Sequence, residues 1–151
     1  MQSPGDRVGA DVGVAAGDGD GDVAVTTAKP RSRRSAKAAG TRFESLVAGY
    51  LAAHLDDDRI ERRAKTGGKD RGDITGLRHM GQRIVVEAKD RAAWSPGTWL
   101  GEADVERRND DAGVGIVVAK RHGIGAPGQQ VVMMTLADFA SLLAGHRPDE
   151  E

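Results

Sequence analysis

The stretch RGDITGLRHMGQRIVVEAKD, residues 71–90, limits the fold more than any other part of the chain. Two strand-like runs flank a short glycine-containing segment, the pattern of an antiparallel hairpin. Side chains alternate faces along a strand, so in RIVVEAK the residues Val85, Glu87 and Lys89 share one face. Ile84, Val86 and Ala88 share the other, which belongs against a core. With Met80 at the apex of the turn, Asp73 and Glu87 stand opposite each other. Facing residues in an antiparallel pair have Cβ atoms roughly 4.5–5.5 Å apart, and like charges there are destabilising. The repulsion needs an offset, either a proton held by a raised carboxyl pKa or a divalent cation, and Lys89 helps in both cases.

The rest of the chain supplies helices to cover such a sheet. In TRFESLVAGYLAAHL, the residues Phe43, Leu46, Val47, Tyr50 and Leu51 form one apolar helical stripe. Residues 59–65 read as a first strand, and residues 114–120, nearly all apolar, as a buried central one. Between hairpin and central strand lies a predicted helix, with Ser95 as cap, Pro96 in its first turn and Gly113 as its stop. QQVVMMTL is the last strand. A final helix follows, with Thr135 and Asp138 spaced as a capping box and Leu136, Phe139, Leu142 and Leu143 toward the core. The predicted class is α/β (α+β), a small mixed sheet flanked by helices in the order αβββαββα.

Charge is segregated beneath a net value of −1. Residues 1–28 hold five Asp and one Arg, and residues 29–42 hold six cations and no acid. The first segment is rich in Gly and Asp and poor in large apolar groups, so it cannot offset its ordering entropy. Residues 1–37 are therefore expected to be a disordered tail, acidic and then basic, followed by a domain over 38–146 and a short tail over 147–151. Absence of cysteine excludes disulfides, thiol catalysis and cysteine-bound zinc. The four histidines form no ligand pair, so a metal would be held by oxygen, which favours Mg²⁺ or Mn²⁺. No apolar run nears the ~18 residues of a membrane span, and the expected location is the cytoplasm.

Two carboxylates and a lysine on one sheet face suit phosphodiester hydrolysis. A bound Mg²⁺ lowers the pKa of its water and neutralises phosphate charge, and a lysine positions the water and stabilises developing charge. Cations near such a site would hold a polyanion backbone: Lys65, Lys69 and Arg71 in the glycine-rich loop, Lys120 and Arg121 after the central strand, and Arg33 and Arg34 in the basic arm. Glu102 and Glu106 lie one turn apart on the middle helix, where an accessory role is open, and Trp94 and Trp99 suit packing.

Asp73 in GDI, thirteen intervening residues and then Glu87-Ala88-Lys89 after an apolar IVV resemble the PD-(D/E)XK nuclease superfamily. The resemblance covers residues 40–144 and departs from the motif's name in having Gly72 where proline would stand. It implies a restriction-endonuclease-like core and a metal held by Asp73, Glu87 and the Ala88 carbonyl, with Lys89 catalytic. The superfamily's early-helix carboxylate maps onto Glu44, which also has the spacing of a capping-box partner for Thr41. The layout is most similar to archaeal- and phage-type Holliday junction resolvases, which implies a homodimer acting on branched DNA. A restriction- or repair-type nuclease, or an inactive DNA-binding module of the same fold, stays open.

Overall fold

A computed structural model describes residues 31–65 and 67–149. The protein is a mixed α/β structure, with three α-helices around a six-stranded mixed sheet. Helix α1 (Arg33–Leu55) comes first, followed by four strands: β1 (Glu61–Arg62), β2 (Ile74–Thr75), β3 (Arg78–His79) and β4 (Gln82–Lys89). Helix α2 (Pro96–Asn109) crosses to β5 (Val114–Ala119), and β6 (Val131–Met133) precedes α3 (Leu136–Ala144). The sheet order is β1-β2-β4-β5-β6, with β3 paired to β4. Strands β4 and β5 run parallel from Ile84↔Val114 to Lys89↔Ala119, and the other pairs are antiparallel. No described helix is long and apolar enough to cross a membrane.

The hairpin reaches the expected pairing by a different path. Its turn is the two-residue Met80-Gly81, with φ of 49° and 87°, and His79 pairs with Gln82. Positive φ at both central residues matches the right-handed twist of the flanking strands. That turn alone would shift the register by one residue. A bulge compensates, because Thr75 and Gly76 together oppose Val85, and beyond it Ile74 pairs with Val86. The bulge splits the predicted first arm into β2 and β3. Gly76 is required there: it has φ +87°, and a Cβ would lie 1.9 Å from the Arg59 carbonyl oxygen. Gly72, where the motif's name has proline, has φ +85°, which the proline ring cannot adopt.

Both sheet faces are covered. Phe43, Val47 and Ala48 of α1 pack on Ile74, Val86, Ile116 and Val118. Trp99 and Ala103 of α2 pack on Val117 and Ala119 of the other face. Burying β5 on both sides explains why all six of its residues are apolar or glycine and all are buried.

Several expectations are corrected. Helix α1 starts at Arg33 with Ser32 as its cap, so Arg33 and Arg34 are helical and the tail does not reach residue 37. Thr41 lies mid-helix, which removes the capping-box role for Glu44. Leu46 is exposed, and the stripe centres on Phe43 and Val47. The predicted strand over 59–65 shrinks to two residues. Helix α3 keeps its Thr135 cap, but of the four expected residues Leu142 alone packs on the core: Leu136, Phe139 and Leu143 are exposed, while Asp138 and Ser141 are buried. Arg147 belongs to the fold rather than to a tail, since its Nη1 donates to Asp138 Oδ1 at 2.7 Å. The disorder expected for residues 1–30 lies outside the described residues.

Candidate active site

The site forms where β2 ends beside the last third of β4. Asp73 leaves the ladder there: its N–H donates to the Val86 carbonyl at 2.9 Å, and its Oδ2 accepts from the Ala88 N–H at 3.0 Å. A carboxylate thus occupies the place of the next backbone acceptor. A strand residue's N–H and C=O point to the same edge, so the Ala88 carbonyl opens toward the Asp73 edge. Two residues of alternation put Glu87 and Lys89 together on the α2 face, and Lys89 Nζ donates to Glu87 Oε1 at 2.6 Å.

Helix α2 completes this face. Glu102 Oε2 accepts from Lys89 Nζ at 2.5 Å, and Glu106, one turn later, is buried against Glu87 and shares a hydrogen bond with it. The Oε2 of Glu106 is buried without a hydrogen-bond partner. From the other side, Glu44 of α1 is buried within the field of Asp73, with Arg62 Nη1 at 3.4 Å from its Oε2. Lys65 Nζ stands 3.7 Å from Asp73 Oδ1.

Burial and neighbouring charge raise the pKa of three of these carboxyl groups. Burial, and then the charge of Asp73, push Glu87 up to about 7, against the opposing pull of Lys89. Burial, and then Glu87, push Glu106 up to about 9. Glu44 is raised by burial and then by Asp73. Lys89 is held above its usual value: burial opposes its charge, but the hydrogen bonds to Glu102 and Glu87 outweigh it. Close like charges and low solvent access mark sites where a cation or a reacting group is to be received.

Of these groups, Glu44, Asp73, Glu87 and Lys89 line one open cleft of about 660 Å³, while Glu102 and Glu106 lie outside its lining. Arg33, Lys37 and Arg91 add positive charge to its walls. Lys65 also lines a neighbouring cleft with Lys69 and Arg71, formed by the glycine-rich loop. The structure therefore brings Arg33 and Lys65 to the site and Lys69 and Arg71 beside it. It does not bring Arg34, Lys120 or Arg121 there. Lys120 Nζ donates to Asp90 Oδ2 at 3.2 Å, and Arg121 donates to the Gln129 carbonyl at 3.1 Å. Asp90, which also lines the cleft and whose side chain is buried among Arg31, Lys120 and His122, gave no sequence signal. Trp99 is core as expected, and Trp94 is half-exposed beside it at 6.2 Å between ring centres.

Among the described residues, no three His, Cys, Asp or Glu side chains converge to cage a metal. The donor set is instead two carboxylates and a carbonyl on one strand end. That suits Mg²⁺, which is usually held by one or two carboxylates and keeps several waters. A positive charge there would relieve the burial of Glu87 and its repulsion from Asp73, which together raise its pKa. Comparisons of the chain with protein-family models, with curated proteins and with solved structures returned no match.

Proposed function

We propose that the protein is a metal-dependent DNA endonuclease of the PD-(D/E)XK type, hydrolysing phosphodiester bonds in branched DNA as a cytoplasmic homodimer. The reading is carried by one observation: Asp73, Glu87 and Lys89 meet in a cleft with cationic walls. Asp73, Glu87 and the Ala88 carbonyl are the residues that would hold Mg²⁺ or Mn²⁺, with Glu44 at the margin. The cation, when bound, supplies an acidified water and charge neutralisation at the phosphate. Lys89 orients the attacking water and stabilises charge on the phosphate oxygens. Arg33, Lys37 and Lys65 attract the polyanion, with Lys69 and Arg71 extending the track, so affinity should fall steeply with salt.

The test uses four-way junction, flap, duplex and single-stranded DNA, each with Mg²⁺, with Mn²⁺ and with EDTA. Cleavage of the junction above the others in either metal, lost in EDTA and in Glu87→Ala and Lys89→Ala variants that melt normally, is the expected result. Cutting by those variants at the wild-type rate would sink the proposal. A second reading, a DNA-binding module without turnover, is favoured by the engagement of Lys89 with two carboxylates. Salt-sensitive junction binding that persists in EDTA, with no cleavage in either metal, would select it.

A further inference from the structure

Lys89 carries its ammonium on a flexible four-carbon stem with three donors. A catalytic lysine must be held in place, because a displacement of about 1 Å can cost roughly 10²-fold in rate. Two of its donors are engaged. One goes to Glu87 Oε1 at 2.6 Å, a neighbour on the same strand, and the other to Glu102 Oε2 at 2.5 Å, a residue of α2. Both are charge-assisted bonds, among the stronger hydrogen bonds available to a side chain.

The two acceptors differ in what else is asked of them. Glu87 is buried beside Asp73 and Glu106 and belongs to the proposed cation site. A cation that takes the Glu87 carboxylate draws its lone pairs away from Lys89. Glu102 is 45% exposed and reaches Lys89 from outside the cleft lining. Its hold survives such a change. The third donor of Lys89 is left for an oxygen of substrate or water.

We propose that Glu102 is a positioning residue, anchoring the Lys89 ammonium from α2 so that it stays in the cleft while Glu87 serves a cation. The consequence for catalysis rests on the nuclease reading above, but the anchoring itself does not. With Glu102 half-exposed, the pair adds little to stability, so its purpose is placement rather than folding.

The experiment follows the Lys89 ammonium directly, by ¹H–¹⁵N spectra of lysine side chains in the full-length protein without metal. The signal is assigned by its loss in Lys89→Arg. In a Glu87→Ala background, where Glu102 is the acceptor left to it, Lys89 should show a signal with slowed proton exchange; adding Glu102→Ala should remove it, and adding Glu102→Gln, which keeps an acceptor oxygen, should retain part of it. With Mg²⁺ and junction DNA, Glu102→Ala should lower kcat by roughly 10- to 100-fold with KM unchanged, and Glu102→Gln should recover part of that loss. A Lys89 signal that is absent from Glu87→Ala, or that persists when Glu102→Ala is added to it, overturns the proposal whatever the activity. A wild-type kcat in the Glu102→Ala single variant overturns it equally. If wild type and Glu87→Ala are both inert on every DNA, the nuclease reading falls, and the ammonium signal still decides whether Glu102 anchors Lys89.

Discussion

Asp138 and Glu106 are both helical acids removed from water, at 2% and 5% exposure, and the protein treats them in opposite ways. Asp138 is satisfied at every turn. Its carboxylate accepts from Arg147 at 2.7 Å, from the Gly115 N–H at 3.2 Å and from the Thr135 hydroxyl at 2.6 Å. Glu106 has one oxygen with no partner, and the charges that act on it are those of Glu87, Asp70 and Asp73. A buried polar group left short of partners costs stability, and such strain gathers where function needs it. Asp138 ties α3 to β5, while Glu106 faces other acids across the interface of α2 with β4.

The largest effect that would sharpen this contrast is at Lys89. Lys89→Ala should lower kcat on junction DNA by ~10²–10⁴-fold. Its unfolding free energy should stay within about 1 kcal/mol of wild type, because Glu87 can take up a proton when its partner is gone. Rapid-quench cleavage assays and urea titration check the two halves. Asp138→Ala should do the reverse, costing about 3 kcal/mol in urea because it strands the buried Gly115 N–H and removes the carboxylate from Arg147. A loss under 1 kcal/mol would erase the distinction between the two acids.

The site acids also predict the sign of the pH dependence. Glu87 and Glu106 have folded-state pKa values of about 7 and about 9, raised from 4.5. The folded protein therefore binds more protons than the unfolded chain between about 4.5 and 9, and metal-free stability should fall as pH rises through that window. Glu106→Gln should flatten the upper part of the fall. Urea midpoints at pH 5, 7 and 9 measure it, and a stability rising from 5 to 9 with the same slope in both proteins would break the argument. The smallest effect belongs to the satisfied side: Thr135→Ala removes the α3 cap and should cost about 1 kcal/mol by thermal melting.

Much of the site was legible because its rules are local. Strand alternation is enough to join Glu87 to Lys89, and their 2.6 Å contact follows from it. Asp73 was placed beside Glu87 by a turn drawn one residue wrong and a bulge not foreseen, two errors that cancel. Glu102 and Glu106 were visible only as acids one turn apart. Nothing along α2 says which of its faces meets β4, since Glu106 is buried where a charged residue would be expected in solvent. Asp90 sat unremarked after the motif, and its three cations come from distant parts of the chain. Lys120 and Arg121 stand outside the cleft lining for the same reason: proximity in sequence to a strand end did not set where their side chains find partners.

Helix α3 shows the limit most plainly. In LADFASLLA, apolar residues are spread so widely around nine positions that periodicity allows more than one inward face. Hydrogen bonding chose. The Ser141 hydroxyl donates to the Gly113 carbonyl at 2.9 Å, and Asp138 takes the Gly115 N–H, so the polar face turns in and Leu136 is left 82% exposed. What the chain determined by itself is what depends on neighbours in sequence: the strands that alternate, the helix that starts at Pro96, the cap at Thr135, and the trio at the hairpin's end. What only the tertiary structure decided is which helix face meets the sheet and which distant charges find each other. Those outcomes depend on the few buried backbone groups that must be satisfied, and their positions exist only once the sheet has formed.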